Sequence, residues 1–522
     1  MSEKISQKIR SYLVSTLIQS LKNLTPPTWK SGSYYAVGSQ VASNGRLYIA
    51  VTTGNTAAIA PTHTSGVVLD GTVQWLYVST AVNVSDIASN LYLGIGRPGE
   101  WNESDVPDVA ETTAEKETEA LDELITLIRL NSTNIRMGLK KEDWISGTVF
   151  SKFDPDVEPS AYGNTLPALY TTVSSEAGIS VYKCIDNNNG VPSTDIPTGE
   201  QLGYVLMSDG YIWKFMGSVE TIDQVQFSTE DFYPISTKYT NDGSDQWQVQ
   251  EQARVGSVSS FGPFITTGSF SSIPTVSVVG VGTEATAGVE FNNPETGVYD
   301  LTRIWCATSG QNYNTETYAI VKNTSNSPGE GAAVNLTVSS GIVSLDSIVG
   351  GTGYTNGAVL VIVGDGIGAE GEVTISSGVV SVVDITDGGQ GYTWAKGFII
   401  PGDAGAVGKA LMAPSSGHGK DIITELGART AIFSIQIDES LSPYIVDGEY
   451  RQISLISSAQ PKDGINQNAA YFIGPKHPDY ILGSAIEDSY LKGSGHLLYI
   501  NNIEAVNHSS EQEEVIKIAL TF

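Results

Sequence analysis

The segment SSGIVS at residues 339–344 recurs as SSGVVS at residues 376–381. In the same way, GGTGYT at residues 350–355 recurs as GGQGYT at residues 388–393. Each copy has the pattern of a tight hairpin, a strand, a glycine-rich corner that ends in tyrosine, and a further strand. Because two copies are too few to bury the continuous core of a solenoid, they predict a duplicated hairpin motif inside one β domain.

The sequence on both sides of this repeat has the same β character. We place the two copies at about residues 333–370 and 371–412, inside a block that begins near residue 256. In this block, runs of Val, Ile and Thr are separated by Gly, Ser and Asn, which is typical of short strands joined by turns. The chain is therefore predicted to be mainly β with a few helices.

The length and composition of the chain predict several folded units. Its 522 residues exceed what one hydrophobic core supports, and 40% of them are hydrophobic, which is enough to fill several cores. The net charge of -29 repels the phosphate backbone of nucleic acids, so we expect no nucleic-acid partner. No run approaches the roughly 18 apolar residues of a membrane span, so we also expect no membrane insertion.

The N-terminal residues and the cysteines indicate the compartment in which the chain folds. Residues 1–24 mix apolar side chains with lysines and an arginine, without the continuous hydrophobic block of a signal peptide. Cys184 and Cys306 are too few for a disulfide framework, and Cys184 lies in a strand pattern as a small buried residue would. We therefore expect folding in a reducing cytoplasm.

Two segments have the spacing of amphipathic helices. Residues 4–24 place their apolar side chains near one stripe, and Thr-Pro-Pro at 25–27 ends the pattern. The second helix is predicted to begin at a Thr113 cap, followed by glutamates in the first turn, and to end before Asn131. Its apolar residues at helical spacing are Leu121, Leu124, Ile125 and Ile128.

The C-terminal hundred residues include three predicted strands, at residues 450–457, 496–500 and 516–522. The last of these ends the chain. We expect it to be paired in a sheet, because an unpaired apolar strand promotes aggregation.

The residue types that carry catalysis or bind metals have no recognisable arrangement. None of the five histidines forms a paired ligand spacing, and neither cysteine has a neighbouring ligand. GIGRPG at 94–99 matches GxGxxG, but Pro98 and the EWNE that follows disfavour the helix a dinucleotide site needs, so we interpret it as a turn. DNNNG at 186–190 lacks the closing carboxylate of a calcium loop and is also predicted to be a turn. We expect no catalytic residue, metal or cofactor, and hence no enzyme.

Residues 28–78 have the character of a small binding module. Their alternation of Trp, Gly, Tyr and Val resembles the spacing of chitin-binding-type carbohydrate modules. The aromatic side chains that such a module would stack on a sugar are Trp29, Tyr34, Tyr48 and Trp75. In a module of this size the same aromatic residues are also the available core, which is the interpretation that we favour.

Six further segments form an ordered set along the chain: LYLGIGRPGEW at 91–101, KKEDW at 140–144, VYKCID at 181–186, DGYIWK at 209–214, YRQISLI at 450–456 and IALTF at 518–522. Together they resemble the baseplate wedge subunit of T-even-like contractile-tailed bacteriophages, the gene product eight family. Because all six follow the order of the family, the set is far more specific than any single segment.

This resemblance implies a division into domains. Residues 1–24, 82–235 and 421–522 would form a discontinuous wedge-type core of the β-sandwich type. Residues 25–81 would be a small, carbohydrate-module-like β insertion, and residues 236–420 a β-rich insertion that contains the repeat. The repeat itself resembles Gly-Tyr β repeats of other phage structural proteins.

What the resemblance implies about function is structural. The family predicts a homodimer that joins other baseplate wedge proteins around the tail hub and repacks its interfaces when the tail contracts. Such a protein is assembled in the host cell cytoplasm and resides in the virion, at the tail baseplate. Two alternatives stay open: a glycan-binding tail adhesin that contacts the host surface through residues 28–78, and a tail-associated polysaccharide-degrading enzyme, suggested only by the glycine-rich repeats.

Overall fold

The architecture was established from a computed structural model. It describes residues 29–35, 39–44, 46–80, 91–101, 106–108, 113–238, 241–266, 269–323, 330–400, 405–438, 444–462, 469–482, 489–509 and 511–521. The helix predicted over residues 4–24 lies outside the described residues. The protein is mainly β, with few helices and many small sheets, which confirms the predicted fold class.

Residue contacts divide the chain into two compact units. The first unit comprises residues 1–141, 219–247 and 422–522, and the second comprises residues 142–218 and 248–421. Both units are discontinuous, because the chain leaves each of them and returns. The second unit groups residues 142–218 with the block that holds the repeat, whereas the predicted wedge-type core grouped them with the C-terminal segment.

Strands supply most of the regular structure along the described chain. The first thirteen are β1 Tyr34–Tyr35, β2 Gln40–Ser43, β3 Arg46–Ala50, β4 Gly54–Asn55, β5 Val67–Asp70, β6 Val73–Thr80, β7 Leu91–Gly96, β8 Leu124–Arg129, β9 Ile135–Lys140, β10 Tyr170–Ser175, β11 Gly178–Asp186, β12 Tyr204–Leu206 and β13 Ile212–Val219. The remainder are β14 Phe232–Ile235, β15 Val258–Thr266, β16 Pro274–Val279, β17 Thr283–Glu295, β18 Val298–Gln311, β19 Tyr318–Asn323, β20 Glu330–Ser339, β21 Ile342–Thr352, β22 Val359–Gly364, β23 Ile367–Ser376, β24 Val379–Gln390, β25 Ala395–Ile400, β26 Gly405–Met412, β27 Thr430–Ile437, β28 Gly448–Ser457, β29 Tyr471–Ile473, β30 His496–His508 and β31 Glu514–Thr521.

The helices are short and lie between the strands. The α-helices are α1 Ala114–Asp122, α2 Thr221–Phe227, α3 Asp245–Gln252, α4 Ile422–Glu425 and α5 Pro478–Leu482, with 3₁₀ turns at Ser132–Asn134, Pro159–Ala161 and Asn188–Gly190.

Helix α1 begins where the sequence predicts but ends earlier. Its N-cap is Thr113, whose hydroxyl accepts a hydrogen bond from the amide of Lys116 at 3.3 Å. The helix ends at Asp122, however, and Leu124–Arg129 is strand β8. The predicted continuation to Asn131 is therefore wrong. An apolar run of this length fits a strand with buried side chains as well as a helix, and the strands that pair with it are distant in sequence.

The first unit contains a five-stranded sheet in the order β29-β8-β7-β28-β30. Strand β7 lies at its centre, with Leu93 opposite Ile128 of β8 on one side and Leu455 of β28 on the other. The hydroxyl of Ser454 donates to the carbonyl of Gly94 at 3.3 Å, across 360 residues of sequence. All six residues of β7 are buried. The sheet therefore joins two stretches that are far apart in the chain, residues 91–129 and residues 448–508.

A second sheet of the first unit ends with the C-terminal strand. Its order is β14-β9-β27-β31, and β31 pairs with β27 so that Ile518 lies opposite Phe433. Ile516, Ile518 and Leu520 alternate as buried residues along β31. The prediction that the final strand is paired is confirmed.

The second unit is built from four-stranded sheets and long hairpins. Its sheets have the orders β10-β11-β13-β12, β15-β26-β19-β16 and β21-β20-β25-β22, and β17-β18 and β23-β24 are two-stranded ribbons. The predicted repeat copies correspond to β20-β21-β22 and β23-β24-β25, each a hairpin followed by a short strand.

Substitution of Gly94 tests how closely β7 is packed. A Cβ atom at this position would lie 2.8 Å from Leu124 Cδ2 and 3.0 Å from Ile456 Cδ1. We expect Gly94→Ala to lower the free energy of unfolding by about 1–3 kcal/mol, because overpacking forces neighbours from their positions. Gly99→Ala is the matched control, since no atom lies within 4 Å of a Cβ there. Equal stability of the two variants in chemical denaturation would contradict this packing.

Candidate functional site

The small module around residues 29–80 has a core made of its aromatic residues. Strands β2, β3, β6 and β5 form one sheet, in the order β2-β3-β6-β5. Tyr48 and Trp75 are both fully buried in it, with 0% exposure. The ring of Tyr35 meets Trp75 edge-on at 5.1 Å. Because the rings of Tyr48 and Trp75 are enclosed, neither offers a face to a sugar.

The other two predicted stacking residues lie nearer the surface. Tyr34 exposes 66% of its surface. Trp29 is half-buried and packs against the module core. The structure therefore does not bring the four aromatic residues together as one platform, because Tyr48 and Trp75 are enclosed in the core and Tyr34 is exposed.

Asp70 is the residue of this module that sequence reasoning missed. Its carboxylate accepts hydrogen bonds from the indole nitrogens of Trp29 at 2.8 Å and of Trp75 at 3.0 Å. It also accepts the amide of Ala57 at 2.7 Å, and the side chain is buried. One carboxylate thus satisfies three donors and fixes both indole rings. Its position at the end of β5, before the turn into β6, gave no signal in the sequence, since Asp is common beside turns.

Removal of the Asp70 carboxylate is expected to destabilise this module. Asp70→Ala would leave three donors without their acceptor, and we expect a loss of roughly 3 kcal/mol or more of local stability. Hydrogen exchange of the β2, β3 and β6 amides in the full chain measures this loss. Tyr34→Ala, which changes an exposed aromatic residue, is the control and should leave exchange unchanged. Unaltered protection in Asp70→Ala would show that the carboxylate has no such role.

The glycine-rich corner of each repeat copy forms a hydrogen bond with the hairpin turn of the other copy. The amide of Tyr354, in the first copy, donates to the carbonyl of Gly378 in the hairpin turn of the second copy at 3.0 Å. Conversely, the amide of Tyr392 donates to the carbonyl of Gly341 in the turn of the first copy at 3.2 Å. This exchange is reciprocal, so each turn is held by the other copy. A single copy lacks the partner that its corner requires.

A third copy precedes these two and was missed in the sequence. In each copy, the corner tyrosine hydroxyl accepts a hydrogen bond from the amide of the third residue of its hairpin, at 3.3 Å. The donor–acceptor pairs are Ala285 to Tyr313, Ala332 to Tyr354 and Ala369 to Tyr392. The hairpins are β17-β18, β20-β21 and β23-β24. The protein therefore contains three consecutive hairpin units with the same internal bond.

This additional copy, which is the first in chain order, does not match the other two by sequence because Asn replaces a glycine in its corner. Its corner reads SGQNYN at 309–314, and Asn312 has φ +61° where the other copies have Gly353 at +81° and Gly391 at +78°. Asn adopts this left-handed conformation more readily than other residues with a Cβ. The signal that finds this copy is the pair Gly-Gln followed two residues later by Tyr, which 309–314 shares with 388–393.

This substitution within the repeat predicts which residues Gly391 tolerates. No atom lies within 4 Å of a Cβ built at Gly391, so only the backbone conformation limits the side chain. We expect Gly391→Asn to cost less than about 1 kcal/mol, and Gly391→Val to cost about 1–3 kcal/mol, because β-branched residues resist positive φ. Equilibrium unfolding of both variants measures the difference. Equal losses would mean that the corner is not conformationally constrained.

The second unit buries a lysine, a histidine and a serine in contact with one another. Lys183 Nζ lies 3.0 Å from His418 Nδ1, and His418 Nε2 lies 3.0 Å from Ser259 Oγ. Lys183 Nζ also lies 4.1 Å from the centroid of the Phe153 ring. Serine beside histidine is the combination that activates a nucleophile, but Lys183 and Ser259 are 0% exposed and His418 is 3% exposed. Because no substrate reaches Ser259 there, this group stabilises the interior.

A second buried ionic group explains the DNNNG segment. Arg303, which is 3% exposed, places NH2 2.7 Å from Asp186 Oδ1 and NH1 3.2 Å from Glu290 Oε1. Asn188 and Asn189 have φ of +49° and +58°, as a tight reversal requires. The prediction of a turn at 186–190 is confirmed, and the Asp186 carboxylate is occupied by arginine.

Asp209 stabilises the loop that precedes β13. Its carboxylate accepts hydrogen bonds from the amides of Thr194 at 2.8 Å, Asp195 at 3.0 Å and Tyr211 at 3.0 Å. The hydroxyl of Ser193 donates to it at 3.1 Å. Burial by itself raises the pKa of Asp209, but these hydrogen bonds outweigh it and lower the pKa. The carboxylate is therefore ionised at neutral pH and stabilises the loop by accepting these hydrogen bonds.

Both cysteine thiols are buried. Burial raises the pKa of both the Cys184 and the Cys306 thiol, so both are protonated and unreactive at neutral pH. In the described part of the chain, no group of three or more His, Cys, Asp or Glu side chains is placed to hold a metal ion. Among the same residues, no helix has both the length and the apolar character needed to cross a bilayer.

Several of the six segments on which the predicted membership of the wedge family rests are neighbours in space. The segments at 91–101 and 450–456 supply the paired strands β7 and β28 of the five-stranded sheet. Those at 181–186 and 209–214 supply β11 and β13, which are adjacent in one sheet. Within each pair, strands that are separated in sequence form one buried surface.

The sequence matches no protein-family model, and it matches no curated protein.

Proposed function

We propose that this protein is a structural component of a phage tail baseplate wedge. In this role it assembles through protein–protein interfaces around the tail hub, as a homodimer that contacts other wedge proteins, and repacks when the tail contracts. It is made in the host cytoplasm and resides in the virion. It works by shape complementarity and not by catalysis.

The observation that carries this proposal is the pairing of β7 with β28. Both strands come from segments that resemble the family, and Leu93, Ile95, Leu455 and Ile456 are all buried between neighbours. Local similarities that arise by chance have no reason to become adjacent in one sheet. Their adjacency supports a shared framework around this sheet.

The surface of the small module supports a role in assembly. Strand β5 is at the edge of its sheet, and Val67, Val68 and Leu69 are consecutive exposed apolar residues on it. Soluble monomers usually protect such an edge with charges or prolines, because it promotes association. In a subunit that assembles, a neighbour would cover this strand.

The arrangement of polar groups supports a structural role as well. Arg303, Lys183 and His418 all have polar partners within the interior, and Ser259 is fully buried. Groups of this kind hold sheets together, whereas a catalytic centre needs access for its substrate.

The glycan-binding alternative has less support from the geometry. Of the four aromatic candidates, Tyr48 and Trp75 are enclosed, and Trp29 is tied to Asp70. Tyr34 alone presents a widely exposed ring. One exposed ring is a weak platform for a pyranose, so adhesion through residues 28–78 is the second choice.

Localisation in the particle tests the proposal. In one experiment, virions are labelled with gold-conjugated antibodies raised against the small module, residues 29–80. In a second experiment, a map of the tail end is determined at side-chain resolution. We expect label and density at the distal plate, around the hub. Label confined to fibre tips, or absence of the protein from virions, would exclude the wedge role, and turnover of a polysaccharide by the purified chain would exclude a purely structural one.

A further inference from the structure

One side of the backbone of strand β5 is open. The strand forms the edge of its sheet, and its other side is paired with β6. The amide of Tyr77 donates to the carbonyl of Gly66 at 3.0 Å, which makes these two residues a hydrogen-bonded pair at the start of the hairpin. Because such pairs alternate with non-hydrogen-bonded pairs along antiparallel strands, the N–H and C=O groups of Val67 and Leu69 point away from β6. Among the described residues, no strand pairs with these groups.

The exposed side chains of β5 are apolar on both faces of the sheet. Val68 lies opposite Trp75 and so points to the face that holds the module core, yet it is exposed. Val67 and Leu69 point to the other face, because successive side chains of a strand alternate, and they are exposed as well. An edge strand that faces water usually carries a charge or a proline, which discourages pairing with another chain. The exposed positions of β5 carry neither.

The sequence around β5 is almost free of charge. Residues 47–80 contain a single Asp, Glu, Lys or Arg side chain, that of Asp70, although the whole chain has a net charge of -29. Asp70 is buried, and its carboxylate accepts hydrogen bonds from two indole nitrogens and an amide. An acidic protein repels a second copy of itself wherever carboxylates meet, and it attracts basic partners. A strand without exposed charge removes this repulsion and offers no carboxylate to a basic partner, so it suits a second copy of the chain.

We propose that two copies of this chain associate through β5, with the two strands antiparallel about a twofold axis at Val68. In this register Val67 of each copy lies opposite Leu69 of the other, and their outward N–H and C=O groups form the hydrogen bonds of two pairs. Val68 lies opposite Val68 of the second copy in a non-hydrogen-bonded pair, in which the side chains are in contact. The arrangement is self-complementary, as a twofold interface requires.

The axis at Val68 is the antiparallel register that keeps both hydrogen-bonded pairs inside β5. With the axis at Leu69, Val67 would lie opposite Gly71, which is in the turn after the strand and has φ +66°. With the axis at Val67, Leu69 would lie opposite Ser65, which precedes the strand. Either shift leaves one outward residue of each copy without a partner in the strand.

The strength of this association is limited by the length of the strand. β5 has four residues, so the pairing buries much less than the roughly 1,200 Å² of a stable interface. We therefore expect a weak dimer, with a dissociation constant on the order of 100 µM. Additional contacts in an assembly would raise the effective affinity, because they hold the two strands close together.

The β5 pairing rests on the proposed function in one respect: that function includes a homodimer, and the pairing specifies where the two copies touch. The pairing is measured on the purified chain, whereas the wedge role is tested by location in the virion. A dimer that forms without β5 would overturn the pairing and leave the wedge role standing.

Cysteine cross-linking tests the register of the pairing. Val68→Cys places two thiols in one non-hydrogen-bonded pair, in which the Cα atoms lie about 4.5 Å apart, within the range of a disulfide. Leu69→Cys is the matched control on the same strand, because its two copies lie two residues out of register, about 8 Å apart and beyond that range. Cys184 and Cys306 are buried, so the unchanged chain measures the background. At about 100 µM of the full chain under mild oxidation, we expect at least about fivefold more disulfide-linked dimer for Val68→Cys than for Leu69→Cys.

Charge exchange at the same position tests the twofold axis in solution. Val68→Lys and Val68→Glu each place like charges opposite one another, so each variant alone should weaken the dimer at least about tenfold in sedimentation velocity. An equimolar mixture places opposite charges together and should restore association. Ile59→Lys is the control, since Ile59 is an exposed apolar residue of the same module outside β5. Melting temperatures check that all variants are folded.

Preferential cross-linking of Val68→Cys together with recovery in the mixture would support the pairing. A wild-type chain that stays monomeric at about 500 µM would overturn it, and so would equal cross-linking of the two cysteine variants. Unchanged dimerisation of Val68→Lys, equal weakening by Ile59→Lys, or no recovery in the mixture would each overturn it as well.

Discussion

The first unit depends on the backbone pairing of strand β7 with strands from distant parts of the chain. A buried strand must satisfy every amide and carbonyl group, because an unpaired one is costly away from water. For β7 the partners are β8 and, more than 300 residues later, β28. Gly94 has no side chain because Leu124 and Ile456 occupy the space above it. The chain between β8 and β28, residues 130–447, must therefore return to this sheet.

In the second unit, many strands find their hydrogen-bonding partners in local hairpins. This unit also contains a few buried polar contacts. Three hairpin units share one hydrogen bond, from a hairpin amide to a corner tyrosine hydroxyl. Two of these units also form reciprocal hydrogen bonds, each from its corner tyrosine amide to the hairpin turn of the other. Neither unit therefore has all of its hydrogen-bond partners alone. In the same unit, Arg303 pairs with Asp186 and Lys183 contacts His418, so these buried polar groups have partners in the interior. These groups resemble catalytic ones in type but serve the fold.

Groups in the interior and groups at the surface of the protein have different roles. Inside, the described thiols, the Arg303 guanidinium and the Lys183–His418 pair have structural roles. Outside, the apolar edge of β5 is exposed. This distribution is typical of a protein whose function lies in contacts with other molecules, and it supports the proposed assembly role.

The sequence by itself determined the features that depend on neighbouring residues. The β class, the hairpin turns of the repeat, the Thr113 cap, the turn at 186–190 and the C-terminal strand all follow from local conformational preferences and alternation. Tertiary structure alone decided whether LITLI at 124–128 is helix or strand, because an apolar run fits both until its partners are known. It also decided which of the four aromatic candidates are enclosed, that Asp70 accepts hydrogen bonds from two indoles, and that a third copy is present at Asn312. Each of these depends on which residues meet across the fold, and one-dimensional spacing does not encode that.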